Sequence, residues 1–152
     1  MKESVKTIVN TVTNTTAGFD TLPVRLAVGI LFMAHGAQKL FAWFGGYGLE
    51  GTAGWMASIG IEPGLLMATL AGSAEFFGGL FLVLGLLVRP AGLVLAVTML
   101  VAIFAVHFEN GLFMSNNGYE YALALFVASL GLVLRGAGSL SLDAVLQSKL
   151  AK

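Results

Sequence analysis

"GLLMATLAGSAEFFGGLFLVLGLLVRP", from Gly64 to Pro90, is the stretch on which the fold turns. Between Gly64 and Leu87 it carries a single charged residue, Glu75. A helix needs roughly 20 mainly apolar residues to cross hydrocarbon, so this segment is long enough to span a bilayer. It runs out at Val88-Arg89-Pro90, a tight reversal that sets Pro90 at a helix start, where its missing N–H does no harm. The first expectation is therefore a pair of antiparallel membrane helices.

Outward from that pair, Leu22 to Phe44, Pro90 to Phe108 and Tyr119 to Leu134 complete a set of four expected spans, the last short enough to cross with little tilt. The expected fold is an all-α membrane protein, a four-helix transmembrane bundle with short amphipathic interfacial helices. Composition agrees: of 152 residues, 57% are hydrophobic and 11% charged. The mean hydropathy of +0.89 exceeds what one water-soluble core requires. Eight basic residues balance eight acidic ones, which leaves no positive field for a nucleic-acid backbone. The lipid bilayer, and no nucleic acid, is the expected partner. The absence of cysteine excludes a disulfide, a thiolate metal site or a thiol relay within the chain, so any redox role must borrow its chemistry.

Lys2, Lys6, Arg25, Arg89, Arg135, Lys149 and Lys152 fall at the two ends and the second connection. The first and third connections carry Glu50, Glu62 and Glu109 without Lys or Arg. By the positive-inside rule both termini are expected in the cytoplasm. Residues 1–21 read as a cytoplasmic polar or amphipathic segment, retained because they lack the pattern of a signal peptide. Val5, Ile8, Val9 and Val12 share one helix side there, so residues 3 to 13 are expected to lie on the membrane or to fray. Residues 22–135 form the four-helix transmembrane domain. Residues 136–152 form a cytoplasmic amphipathic helix capped by Ser139 or Ser141 and bearing Leu142, Val145 and Leu146. Trp55, Met56 and Ile59 predict a short helix on the outer leaflet, and "ENGLFMSNNG" a turn-rich third connection; together they would roof the outer end.

The polar residues within the spans select the candidate site. A carboxylate near the bilayer centre costs at least about 2.5 to 3.5 kcal/mol, so Glu75 must face protein or water. Ala71, Gly72, Gly78 and Gly79 beside it form a close-packing face. Lys39 follows His35 by four residues and lies about 40° around the axis, with Gln38 flanking, so the three share a face. Counting inward from the span ends brings His35, Lys39 and Glu75 to similar depth, with His107 and Glu120 entering at the same outer side. The ligand-binding candidates are thus His35, Gln38, Lys39, Glu75, His107 and Glu120, and the catalytic candidates His35, Lys39 and Glu75. Each has a plainer reading: Lys39 snorkelling to headgroups, Glu75 as a protonated helix-to-helix hydrogen bonder, His35 as a packing histidine, Glu109 as an interfacial residue and Arg25 as an inner-interface anchor.

"RLAVGILFMAHGAQKL" from Arg25, "AEFFGGLFLVLGLLVRPAGL" from Ala74, "HFENG" from His107 and "GYEYALAL" from Gly118 together resemble the DoxX family of small four-helix bacterial inner-membrane proteins, over about residues 20 to 147. The resemblance implies a multi-pass protein of the bacterial inner membrane. It also implies association with redox systems, since family relatives include a membrane subunit of thiosulfate:quinone oxidoreductase. Arg25, His35, Lys39, Glu75, His107 and Glu120, with Asn110 and Tyr121 beside them, match the family's polar pattern.

The leading functional expectation is a membrane subunit of a redox complex whose outer pocket takes a quinone or similar lipophilic ligand, alongside other redox-complex proteins and compatible with a homo-oligomer. Its main rival is a non-enzymatic membrane anchor or assembly factor. Proton or small-solute transport ranks lower, because the inner half offers only Ser73, Thr98 and Ser129 toward a wet path. Haem b is disfavoured: the two imidazoles, His35 and His107, sit at depths about 6 Å apart by helical rise. No metal is expected, for want of close histidine spacing.

Overall fold

Backbone polar groups in hydrocarbon must be satisfied within the chain, and helices do this segment by segment. In the computed structural model, which describes residues 2–15 and 18–150, the protein is all-helical, with no strand among the described residues. The helices are α1 (Lys2–Thr13), α2 (Leu22–Phe41), α3 (Gly48–Ser58), α4 (Gly64–Leu84), α5 (Val88–Ala102), α6 (Glu120–Arg135) and α7 (Leu142–Leu150). Met1 and Lys152, the ends of the expected terminal segments, lie outside the described residues with Thr16, Ala17 and Ala151.

Helix α4 is long and apolar enough to cross a membrane. So is the rod Val88–Asn110, in which α5 continues through a π turn at Ile103–His107 and a 3-10 turn at Phe108–Asn110. A third crossing is available if α2 and the segment Trp43–Ser58, bent by 96°, count as one span. Helix α6 has 16 residues, short of the roughly 20 that a full crossing takes. Two to three of the four expected crossings therefore meet the length and composition requirement.

The bend also moves one expected boundary. The apolar run continues to Phe44, but the helix stops at Phe41, because Ala42 (φ 57°) and Phe44 (φ 53°) take the left-handed conformation. Gln38 Nε2 donates to the Phe44 carbonyl at 3.3 Å, which supplies a partner to a carbonyl freed by the break.

Helices α2 and α4 run antiparallel and touch through backbone. Gly29 and Gly36 on α2 face Gly79 and Gly72 on α4. A Cβ on Gly36 would lie 2.4 Å from the Phe76 backbone nitrogen, and one on Gly79 2.5 Å from the Gly29 carbonyl oxygen. Such contact is possible only with glycine, and it is how helices gain packing energy where lipid supplies no hydrophobic drive. Helix α5 packs on both α4 and α6, and α6 touches α2, so Phe32, Leu82, Leu95 and Leu132 share one core. Ile30, Leu70, Phe77, Val97, Phe104 and Val127 point outward instead. An outer surface this apolar fits lipid as its solvent.

Both described ends meet at one end of the molecule, where α1 packs on α7. Arg25, buried, donates to the carbonyls of Ala137 and of Leu140, the latter at 2.7 Å. Asp143 accepts from the N–H groups of Leu87 (2.8 Å) and Val88 (3.1 Å), so an acid on α7 caps the start of α5. Burial pushes the Asp143 carboxyl above the ordinary aspartate range, against the opposing pull of those two N–H groups and of Arg25. Ser141 Oγ accepts from Ala144 N at 3.1 Å and is the N-cap of α7. Arg89 donates to the Asn14 and Val133 carbonyls, and Arg135 pairs with Asp20 at 2.6 Å.

Candidate functional site

The small residues around Glu75 bring α2 and α4 together closely enough for their ionisable side chains to meet. Lys39 Nζ donates to Glu75 Oε2 at 2.6 Å; the lysine side chain is 25% exposed and the glutamate 5%. This is an ion pair inside an apolar wall rather than a lysine reaching for headgroups. One turn back along α2, His35 Nε2 lies 3.3 Å from the Tyr121 hydroxyl of α6, with the ring centroids 5.8 Å apart. His107, at the end of the π turn, donates from Nδ1 to the Asn117 carbonyl at 2.8 Å. A carbonyl can only accept, so Nδ1 carries a proton and Nε2 is the nitrogen left to face other partners.

These side chains line one cavity of about 120 Å3. His35, Lys39, Glu75, His107 and Tyr121 are its polar members, and Phe32, Met99 and Leu125 belong to its apolar wall. The structure thus brings together His35, Lys39, Glu75 and His107 from four of the six candidate positions. The two histidines, set at different depths by counting residues, line the same space, and His107 ends a π turn whose rise and rotation differ from those assumed in that count.

The other two candidates are placed elsewhere. Gln38, besides its bond to Phe44, lines a larger groove of about 600 Å3 between the end of α2 and α3. Glu120 Oε1 accepts from Met114 N at 2.6 Å, which holds the third connection to the start of α6 and turns the carboxylate away from the cavity lining. Tyr121, one residue later, supplies the polar contact that α6 makes to the chamber. Its signal in sequence was its place one residue past Glu120 at a span edge, where a tyrosine hydroxyl commonly seeks a partner. Among the described residues, no group of three or more His, Asp or Glu side chains is arranged to hold a metal ion.

A family model described as DoxX matches residues 21–108, more than half of the chain and the part that contains His35, Lys39, Glu75 and His107. The chain belongs to the DoxX family. Among curated proteins, it is 35% identical over 123 residues to the "Putative oxidoreductase CatD" of Bacillus subtilis, a match that covers 81% of this chain and 84% of that protein. It is 34% identical over 127 residues to an uncharacterized protein of Haemophilus influenzae, covering 79% and 85% of the two. No solved structure matches the DoxX chain significantly. Family and apolar helices together make this a membrane protein.

Proposed function

We propose that this DoxX protein is a four-span subunit of an oxidoreductase complex in the bacterial inner membrane, with both termini cytoplasmic and a chamber that binds a quinone or similar lipophilic ring. Four spans follow if α6 reaches one interface through its loop, since 16 residues rise about 24 Å against a hydrocarbon thickness of about 30 Å. The orientation rests on the gathering of Arg25, Arg89 and Arg135 at the end that holds α1 and α7.

The observation that carries the reading is the convergence of Lys39, Glu75, His35, Tyr121 and His107 on one otherwise apolar cavity. Apolar walls with a few convergent polar groups are the usual form of a small-molecule site. Ring carbonyls need donors, and Lys39, His35 and the Tyr121 hydroxyl provide them. A bound quinone supplies two-electron carrier chemistry, with the electrons delivered by a partner protein of the complex. Glu75 is positioned to hold a proton at Oε2 when the Lys39 contact opens, and His107 Nε2 offers a second accepting site. The name of the Bacillus subtilis relative supports an oxidoreductase setting. The small volume favours a single ring over a porphyrin.

A second reading, an anchor or assembly factor, is favoured by the fact that the Lys39–Glu75 pair joins α2 to α4 and can fix their register without any ligand. One experiment separates the two. Glu75→Gln in the native membrane is expected to lower quinone-linked turnover per molecule of protein present, while partner recovery stays in proportion to that protein. Loss of abundance and partner together, with no quinone recovered by mass spectrometry from gently extracted wild type, refutes the redox site in favour of the anchor.

A further inference from the structure

The chamber is too small for a whole lipophilic carrier. At about 120 Å3 it is below the roughly 150 Å3 that accepts a benzene ring, so a ring fits only once a lining side chain moves, and no attached chain fits beside it. Beside it lies the groove of about 600 Å3. Lys39 is the residue that lines both. Beyond Lys39, the groove is walled by Gln38, Tyr47, Thr52 and Trp55, and Gly46 packs directly on the backbone of Gln38 at its edge.

The backbone holds strain where this groove forms. Ala42 and Phe44 both occupy the left-handed region, and their break turns the chain by 96° so that α3 folds over the groove. Non-glycine residues held there cost of order 1 kcal/mol or more each, and such strain tends to accumulate at binding sites. Tyr47 is 84% exposed and Trp55 43%, so the groove opens past two amphipathic aromatics, the side-chain type enriched where membrane meets water.

We propose that the groove beneath α3 holds the hydrocarbon chain of the ligand whose polar ring enters the chamber, with Lys39 as the divider between the two. This rests on the quinone reading above and adds to it a chain-binding subsite. Glu75 then faces the ring side of Lys39, and Trp55 the chain side. Ring entry requires the Lys39 side chain to swing aside, which momentarily frees Glu75.

The test compares a decyl-substituted benzoquinone with the same ring lacking the chain. The protein is the full chain in phosphatidylethanolamine and phosphatidylglycerol nanodiscs, with Kd expressed as mole fraction in the bilayer so that partitioning cancels. Trp43→Phe leaves Trp55 as the sole tryptophan, and its quenching reports occupancy. The decyl compound is expected to bind about tenfold more tightly than the chainless ring. Thr52→Phe, which fills the groove, should reduce that advantage to about threefold or less while leaving the chainless ring's Kd within about twofold. Tyr47→Ala, at an exposed position that folding tolerates, should reduce it in part and serves if Thr52→Phe fails to fold. An advantage that survives both substitutions, or equal binding of the two probes to wild type, overturns the subsite and leaves the ring site standing. Binding of neither probe to wild type overturns the ring site and the subsite with it.

Discussion

Replacing Glu75 with glutamine removes one charge of the Lys39–Glu75 pair and leaves the other in an apolar wall. Breaking a buried ion pair from one side typically costs about 3 to 5 kcal/mol, because the surviving charge is uncompensated. Two features of the structure place this case at or below the low end. Lys39 keeps 25% of its side chain exposed, so its charge is partly hydrated. Glutamine, moreover, retains an oxygen that can accept from Nζ. The expected loss is about 2 to 3 kcal/mol for Glu75→Gln, and about 3 kcal/mol for Lys39→Met, which strands a carboxylate only 5% exposed. Replacing both, as Lys39→Met with Glu75→Leu, should return stability to within about 1 kcal/mol of wild type, since well-packed apolar pairs substitute for buried ion pairs nearly neutrally. The assay is a double-mutant cycle by reversible unfolding in mixed micelles, completed with Lys39→Met and Glu75→Leu alone. A coupling of at least about 2 kcal/mol is expected, and singles that add within about 0.5 kcal/mol would refute the claim that these two groups neutralise one another.

Three further perturbations bear on the frame around the site. Gly36→Ala puts a methyl 2.4 Å from the Phe76 backbone, forces α2 and α4 apart and should cost about 1 to 3 kcal/mol in thermal unfolding, whereas Gly131→Ala, with nothing within 4 Å, should be neutral or slightly stabilising. Asp143→Ala removes the acceptor for the Leu87 and Val88 N–H groups and should cost about 1 to 2 kcal/mol, with faster amide exchange at those two positions and partial recovery in Asp143→Asn. The Arg135 guanidinium holds the exposed Asp20 carboxyl below its ordinary range, so the folded state binds fewer protons there than the unfolded state. That contribution is complete above the unfolded aspartate value and is lost as pH falls through the lower folded one; Arg135→Gln should flatten this acid limb of the melting-temperature profile.

The helical segments could be read from hydropathy because the solvent is severe: a backbone that crosses hydrocarbon must bond within itself, and α4 starts at Gly64 as expected. The meeting of Lys39 and Glu75 was legible for the same reason, since charges in hydrocarbon must find each other. The break at Ala42–Phe44 was not, because "AWF" contains neither glycine nor proline and continues the apolar run. The π turn at Ile103–His107 also lacks a signal, being apolar up to His107, the residue that ends it and lines the cavity. Glu120 looked like a chamber residue from its level alone, but a nearer backbone N–H at Met114 claims it. Asp143 stands in the first turn of α7 but accepts from the N–H groups that open α5, a tertiary relation that no local pattern encodes.

The glycine contacts between α2 and α4 have a mechanical consequence. With Gly29 against Gly79 and Gly36 against Gly72, there is no side-chain cushion to compress, so these two helices behave as a single stiff keel. Compliance is displaced to the seam where α2 meets α6, fastened at chamber level by the long His35–Tyr121 contact. Whatever breathing the bundle allows should occur there, like a hull whose planks part first at the lightest rivet.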